Sequence, residues 1–220
     1  FFTGAPFAGV KENFEQCLRI YRETGNIVGQ SDSHHRLGYA YTFGSADLSA
    51  ARRHYEEALR LVDMTGDEAW RYTVESYLGY LHICEGNYAA AESVLKRSIQ
   101  AAHERGHQWM VGNTHPLLAY SYANRGEFDA AVATFEESVR AIGSTGARHY
   151  LAMAHNYFAL CHLYTRDFTA CEHSARTALA MAGELHHIRR EGEALVCLGH
   201  ALFEQQKLNK AAEAYEKGLK

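Results

Sequence analysis

Histidines and cysteines are the residues of this 220-residue chain that could bind a metal ion, and they number 14 and 5. His34-His35 and His186-His187 are adjacent pairs. Adjacent side chains on a helix point in different directions, so each pair would chelate a metal poorly. The sequence contains neither His-Glu-x-x-His nor Cys-x-x-Cys. We therefore predict no metal site and no cofactor.

The sequence patterns of catalysis are also missing. Gly143-Ser144-Thr145-Gly146 lacks the Gly-Lys-Ser/Thr ending of a phosphate-binding loop, and no Gly-x-Ser-x-Gly elbow occurs. Acidic pairs such as Glu56-Glu57 and Glu136-Glu137 fit the solvated side of a helix, where they can pair with bases four residues away. Because no acid, base and nucleophile converge, we predict no catalytic residues and a protein that is not an enzyme.

Composition narrows the classes of partner and the cellular compartment. The formal net charge is −4 and no basic stripe occurs, which argues against nucleic-acid binding. No run of 18 apolar residues could span a membrane. An odd number of scattered cysteines is typical of reduced thiols, so we expect a cytoplasmic protein. The chain starts at Phe1 without an initiator methionine, and we expect a fragment of a longer protein.

One pattern recurs about every 40 residues along the chain. Apolar residues are spaced at three and four positions, which indicates helices and not strands. A small anchor residue recurs with gaps of 41, 40, 40 and 40, at Gly38, Gly79, Ala119, Ala159 and Gly199. We place the extra residue of the first copy in a turn, at Ser45-Ala46, because insertions are tolerated in loops.

Each copy is predicted to contain a helix A, a short turn, a helix B and a longer connection. The turns are predicted at Gly44-Ser45, Gly86-Asn87, Gly126-Glu127, Arg166-Asp167 and Gln206-Lys207. Helix B should end near Gly66, Gly106 and Gly146, where a left-handed cap favours glycine. The fourth copy has Gly183 earlier. The predicted boundaries are a half repeat at 6–30 and repeats at 31–67, 68–107, 108–147, 148–187 and 188–220.

Small residues at the anchors predict close helix crossings. A side chain no larger than Ala or Gly is needed where two helices touch, with a bulky residue opposite. The predicted bulky partners on helix B are Tyr55, Leu95, Phe135 and Tyr215. Pro116 falls within a predicted helix A, so that helix either starts late, at Asn113 or Thr114, or is kinked at the proline.

These residues resemble the tetratricopeptide repeat. The first copy matches its pattern with Leu37-Gly38, Tyr41, Ala51, Tyr55 and Ala58, and the other four copies follow in phase. The resemblance implies an all-α fold, a right-handed superhelical solenoid of antiparallel helix pairs. Units of 40 residues are longer than the usual 34 or so. They are similar to arrays in large bacterial regulators, such as maltose-type transcription activators and related signal-transduction ATPases.

The resemblance also implies a protein or peptide partner, bound by a scaffold or sensor module of a larger signalling or transcription regulator. A small-molecule ligand in the concave groove is the alternative. Helix A lines that groove, and tyrosine and asparagine suit peptide binding because they combine contact area with hydrogen bonding. The predicted partner-binding residues are Tyr39, Tyr80, Asn113, Tyr120, Asn124, Asn156 and Tyr164. In the other interpretation, which stays open, the tyrosines pack against the next helix A.

Two further expectations concern the histidines and the ends of the array. His34, His115 and His155 share one repeat position, so stacked helices could bring them into a pH-sensitive ladder. The chain stops at Lys220, inside the fifth helix B, without a polar capping helix. Terminal repeats need a polar outer face, so we expect further repeats in the full protein or self-association through the ends.

Overall fold

A computed structural model describes residues 7–143 and 148–219, apart from the side chains of Phe7, Gln108 and Trp109. Every regular element within these ranges is helical, which confirms the predicted all-α class. The helices are α1 (Phe7–Glu23), α2 (Ile27–Ala40), a π-helical segment (Tyr41–Ser45), α3 (Leu48–Thr65), α4 (Glu68–Cys84), α5 (Tyr88–Glu104), α6 (Gln108–Asn124), α7 (Phe128–Gly143), α8 (Arg148–Tyr164), α9 (Phe168–Glu184), α10 (Ile188–Glu204) and α11 (Leu208–Gly218).

The helices form two compact units, with the boundary between Arg105 and Gly106. In the N-terminal unit, α1 packs on α2, and the hairpins α2–α3 and α4–α5 are joined by contacts between α3 and α4. In the C-terminal unit, the hairpins are α6–α7, α8–α9 and α10–α11, and α8 contacts both α6 and α10. The even-numbered helices are therefore the predicted A helices, and α3, α5, α7, α9 and α11 are the B helices.

The A-to-B turns have one recurring geometry. In each turn, a residue with positive φ stands two positions before the first residue of helix B. These residues recur every 40 positions, at Ala46, Gly86, Gly126, Arg166 and Gln206. At Asp47, Asn87 and Asp167, an acidic or amide side chain then caps helix B. Asp47 Oδ1 accepts from Ala50 N at 2.9 Å, and Asp167 Oδ1 accepts from Ala170 N at 3.0 Å. Each bond satisfies an amide that the first turn of a helix leaves unpaired.

The extra residue of the first repeat lies inside a helix, so its predicted place in the turn at Ser45-Ala46 is wrong. The stretch Gly38–Ala46 is one residue longer than its counterpart in the other repeats. The π-helical segment Tyr41–Ser45 accommodates it, because a π-turn holds more residues than an α-turn. The predicted turn Gly44-Ser45 is accordingly displaced, and the actual turn is Ala46-Asp47.

Helix A of the first repeat begins at Ile27, earlier than the boundary predicted at residue 31. Its amino end is capped by Asn26, whose Oδ1 accepts from Gly29 N at 2.9 Å. Gly25 takes φ +67° in the turn that follows α1. The half repeat is helix α1.

The connections from helix B to the next helix A also contain a left-handed residue. Gly66 and Gly106 take this conformation as predicted, whereas Gly146 lies outside the described residues. After α9 the left-handed residue is His186, with φ 51°. Gly183 lies within α9 and does not end it.

Pro116 lies inside α6, which runs from Gln108, so the late start considered for this helix is wrong. Proline has no amide hydrogen, and the carbonyl four residues earlier, that of Gly112, loses its usual donor. The Ser138 hydroxyl of α7 donates to this carbonyl oxygen at 3.0 Å. A side chain of the paired helix thus replaces the missing backbone bond.

The predicted close crossings within hairpins are confirmed at three anchor glycines. A methyl group on Gly38 would lie 2.7 Å from the Tyr55 ring, and one on Gly79 would lie 2.6 Å from Leu95. A methyl on Gly199 would lie 2.5 Å from the Tyr215 ring. These distances are shorter than van der Waals contact, so only glycine allows the helices to approach this closely.

Candidate partner-binding surface

Four half-buried aromatic rings lie in the N-terminal unit, on α2, on the π-helical segment that follows it and on α4. We call them the aromatic surface: Tyr39, Phe43, Tyr77 and Tyr80. The ring centroids of Tyr39 and Phe43 are 4.4 Å apart, and Phe43 stacks on Tyr80 at 5.1 Å. Tyr77 meets Tyr39 edge-on at 5.6 Å. These separations fall in the favourable range for aromatic pairs, so the rings hold one another in place.

A buried layer supports this surface. His35 contacts Trp70 and Tyr77 edge-on, with both centroid distances 4.9 Å. Trp70 Nε1 donates to Ser31 Oγ at 3.0 Å, and Ser31 Oγ donates to the Ala58 carbonyl at 3.0 Å. These contacts link α2, α3 and α4, and they hold in place the helices that carry the aromatic surface.

His35 behaves as an aromatic packing residue. Its side chain is 8 % exposed, and neither ring nitrogen has a hydrogen-bond partner. Burial lowers the pKa of His35 to about 3, with a further contribution from the nearby Arg36 guanidinium. The imidazole is therefore neutral near neutral pH and cannot act as a cationic contact for a partner.

Cys84 is the exposed thiol beside the aromatic surface. Desolvation raises its pKa above the ordinary value, and a hydrogen bond with Tyr80 opposes this only in part. The thiolate is the reactive form of cysteine. A raised pKa leaves Cys84 protonated at neutral pH, which does not suit a catalytic nucleophile.

The C-terminal unit carries a second tyrosine pair on its A helices. Tyr120 of α6 stacks on Tyr157 of α8, with ring centroids 5.1 Å apart. Asn124 Nδ2 donates to the Tyr120 carbonyl at 2.7 Å, within the same helix. Tyr164, at the end of α8, is 50 % exposed. Tyr120, Asn124 and Tyr164 are thus at least partly accessible, as a partner-binding role requires.

Asn113 and Asn156 are buried, with 4 % and 2 % exposure. Asn156 Nδ2 donates to the Arg190 carbonyl at 3.1 Å and lies 3.3 Å from Glu193 Oε2, so this amide links α8 to α10. Their predicted partner-binding role stays a prediction, because no contact with a partner tests it. Asn156 lies between α8 and α10, and the buried Asn113 is likewise not on an accessible face.

The Glu193 carboxylate near Asn156 is paired with two guanidinium groups. Glu193 accepts from Arg189 Nε at 3.0 Å and from Arg190 Nη1 at 2.7 Å. Burial would raise the pKa of Glu193, but the two guanidinium groups outweigh it and lower the pKa. This carboxylate stays ionised, and its contact with Asn156 reaches from α10 to α8.

The sequence prediction left out three aromatic residues of these faces. Phe43 stands four residues after Tyr39, which places both on one side of the helix. Tyr77 and Tyr157 share one repeat position, two residues before the anchor. An aromatic residue recurring at that position was the signal that could have identified them.

Metal-binding groups are scattered in the parts of the chain that the structure describes. Over residues 7–143 and 148–219, no three His, Cys, Asp or Glu side chains come together as a metal site would require. None of the described helices is long and apolar enough to cross a membrane.

Comparison with known families identifies tetratricopeptide repeats in two parts of the chain, residues 117–144 and 192–220. The first stretch includes all of α7 and the end of α6, and the second includes α11 and most of α10. No curated protein matches the chain by sequence.

Solved structures share the fold over most of the chain. BtubC (BKLC) from P. vanneervenii is similar with a TM-score of 0.68 and 16 % identity, over 97 % of this chain and 88 % of that one. The apo form of RapI gives 0.60 and 17 %, over 93 % of this chain and 57 % of its own. The TPR-like repeats of a putative kinesin light chain from Podosopora anserina give 0.58 and 16 %, over 85 % and 92 %. At such identities the similarity concerns the fold alone.

Proposed function

We propose that this chain is a non-catalytic protein- or peptide-binding module that holds extended peptide segments against the tyrosine-bearing faces of its A helices. The observation that carries the proposal is the aromatic surface, whose four rings are half-buried and mutually braced. Rigid aromatic residues provide contact area at a low cost in conformational entropy. Tyrosine hydroxyls can in addition bond to the backbone of a peptide.

The role of a scaffold or sensor in a larger cytoplasmic regulator is part of this proposal. The 40-residue spacing supports it, because that spacing is the feature shared with the long arrays of bacterial regulators. The five cysteines are all unpaired, in agreement with a reducing compartment.

A peptide-display selection tests the proposal without knowledge of the natural partner. Peptides selected on the whole chain are remeasured by fluorescence anisotropy against Tyr39→Ala, Tyr80→Ala and Tyr120→Ala. Truncating an aromatic anchor typically costs more than about 1 kcal/mol of binding energy. We expect each selected peptide to lose about tenfold in affinity with at least one of these variants.

Met64→Ala is the matched control, because Met64 is 61 % exposed and lies on α3, which is a B helix. It should leave every affinity unchanged. The proposal fails if the selected peptides bind all three tyrosine variants as tightly as the unaltered chain. It also fails if no peptide is enriched while a metabolite raises the melting temperature, a result that would favour the small-molecule sensor.

A further inference from the structure

Two histidines are in direct contact beside Arg22, near the carboxyl end of helix α1. His34 on α2 and His54 on α3 place their Nδ1 atoms 3.0 Å apart. Helix α1 reaches this pair through Arg22, whose Nη2 lies 3.5 Å from His34 Nε2. His34 is buried, with 7 % exposure. Three helices therefore meet at two imidazole rings.

A second contact of α1 lies on the other side of the pair. Tyr41 stacks on the His54 ring with centroids 5.4 Å apart, and Lys11 Nζ lies 5.8 Å from the Tyr41 centroid. Cations outnumber anions among the charged side chains that act on the two imidazoles. From α1 these are Lys11, Glu15 and Arg22, and from α3 they are Arg53, Glu57 and Arg60.

The hydrogen-bond pattern fixes the tautomer of each neutral ring. A guanidinium only donates, so His34 Nε2 is the acceptor facing Arg22 and His34 carries its proton on Nδ1. That proton is donated to His54 Nδ1, which leaves the proton of His54 on Nε2. The two rings then hold two protons on four nitrogens, and both contacts are satisfied.

A third proton breaks one of these contacts in every arrangement. If His34 Nε2 stays bare for Arg22, both Nδ1 atoms carry hydrogens and two donors face each other at 3.0 Å. If the Nδ1–Nδ1 bond is kept, His34 Nε2 carries a hydrogen that points at a guanidinium. Either the hairpin contact or the contact with α1 is lost, and a positive charge is added beside Arg22.

We propose that the His34–His54 pair is a proton-sensitive latch that holds α1 on the α2–α3 hairpin and releases it on acidification. Release of α1 would uncover the apolar residues Val10 and Leu18, which are buried in the docked state. Burial, the neighbouring His54 and then Arg22 and Arg60 lower the pKa of His34 to about 4, although Glu57 opposes them. Docking therefore weakens as the pH falls below the ordinary histidine value of 6.5.

Hydrogen–deuterium exchange read by mass spectrometry, corrected for intrinsic rates, tests the latch in the whole chain. If released His34 titrates at its ordinary pKa, docking at pH 5.5 is about tenfold weaker than at pH 7.5. Opening of residues 7–23 should increase by that factor, whereas α5 of the same unit should keep its protection. If α1 responds to pH no more than α5 does, the latch is refuted.

Arg22→Gln separates the latch from general acid unfolding. A glutamine amide can donate to His34 Nε2 or accept from it, so the variant should lose the part of the α1 pH response that comes from the Arg22 contact, whereas burial of His34 keeps the rest. His34→Gln removes the titrating ring and should lose most of the response. His103→Gln, on the exposed face of α5, should retain the full response. A full response in Arg22→Gln would overturn the proposal.

Discussion

Replacing Gly79 by alanine tests how closely helices A and B cross. The added methyl group would lie 2.6 Å from Leu95 Cδ2 and 2.8 Å from Leu95 Cγ. Leu95 is completely buried, so it has no open space into which to move. The methyl can be accommodated only if the helices α4 and α5 separate or Leu95 takes a less favourable rotamer.

Two effects of opposite sign set the size of the change. Alanine favours a helix interior over glycine by about 1 kcal/mol, and overpacking a core costs about 1–3 kcal/mol. We therefore expect Gly79→Ala to lower the free energy of unfolding by up to about 2 kcal/mol. Gly183, inside α9, has no atom within 4 Å of an added methyl. Gly183→Ala should thus raise stability by about 0.5–1 kcal/mol.

Urea denaturation followed by far-UV circular dichroism measures both variants. A second substitution, Leu95→Ala, checks that the cost comes from this contact. Alone it should destabilise by about 2–5 kcal/mol through the cavity it creates. Combined with Gly79→Ala it should cost about 1–2 kcal/mol less than the sum, because the new methyl fills part of the cavity. The fourth repeat already has this combination, with Ala159 and Ala175 both fully buried.

The result that would refute this reasoning is a Gly79→Ala variant as stabilised as Gly183→Ala. That outcome would mean that the crossing distance is set by other residues. Additive effects of Gly79→Ala and Leu95→Ala would likewise contradict a direct clash.

Two further predictions concern a buried ring and a helix cap. Because the pKa of His35 is about 3 in the folded chain and its ordinary value is 6.5, its stabilising effect is complete above pH 6.5 and is lost as the pH falls. His35→Leu should remove this loss and gain about 2 kcal/mol over the unaltered chain at pH 5 in urea titrations, and equal pH slopes would contradict it. Asp167→Ala removes the 3.0 Å bond to Ala170 N and should cost about 0.5–2 kcal/mol. Asp167→Asn keeps an acceptor and serves as the control in the same titration.

The fold was predictable because its signals are local and repeated. Turn residues, caps and small anchors recur every 40 residues, and five copies in phase leave little doubt about which helices pair. The misplaced insertion shows where this logic stops. A one-residue excess between Gly38 and Ala46 can enter a loop or widen a helix, and sequence alone does not distinguish them. The left-handed residue and the Asp47 cap are fixed by the repeat, so the helix takes up the excess.

The candidate surface was less predictable because exposure depends on the neighbouring helix. When each helix is considered alone, Asn113 and Asn156 fall on the same face as accessible residues. In the folded chain both are buried. Tyr39, Tyr80 and Tyr120 are half-buried and pack against rings of a neighbouring repeat, and their partner-binding role stays a prediction. Part of each tyrosine remains accessible to solvent.

The pairing of His34 with His54 could not be read from the repeat. His34 was expected to align with histidines at the same position of other repeats. Its partner lies instead on the B helix of its own hairpin, 20 residues away. A contact across a hairpin depends on the axial offset of its two helices, and the π-helical segment that follows α2 is unique to this hairpin among those described.

The residues with positive φ in the turns and connections, here called the left-handed corners, differ in type along the chain, and their type affects stability. Glycine fills five of the described corners, whereas bulkier residues fill four: Ala46, Arg166, His186 and Gln206. A non-glycine residue in the left-handed conformation costs about 1 kcal/mol of backbone strain. It also lowers the conformational entropy of the unfolded chain, which favours folding. Three of the four, Arg166, His186 and Gln206, lie within or between the last two hairpins. Replacing one of them by glycine should therefore destabilise the chain less than replacing one of the five glycines by a bulkier residue.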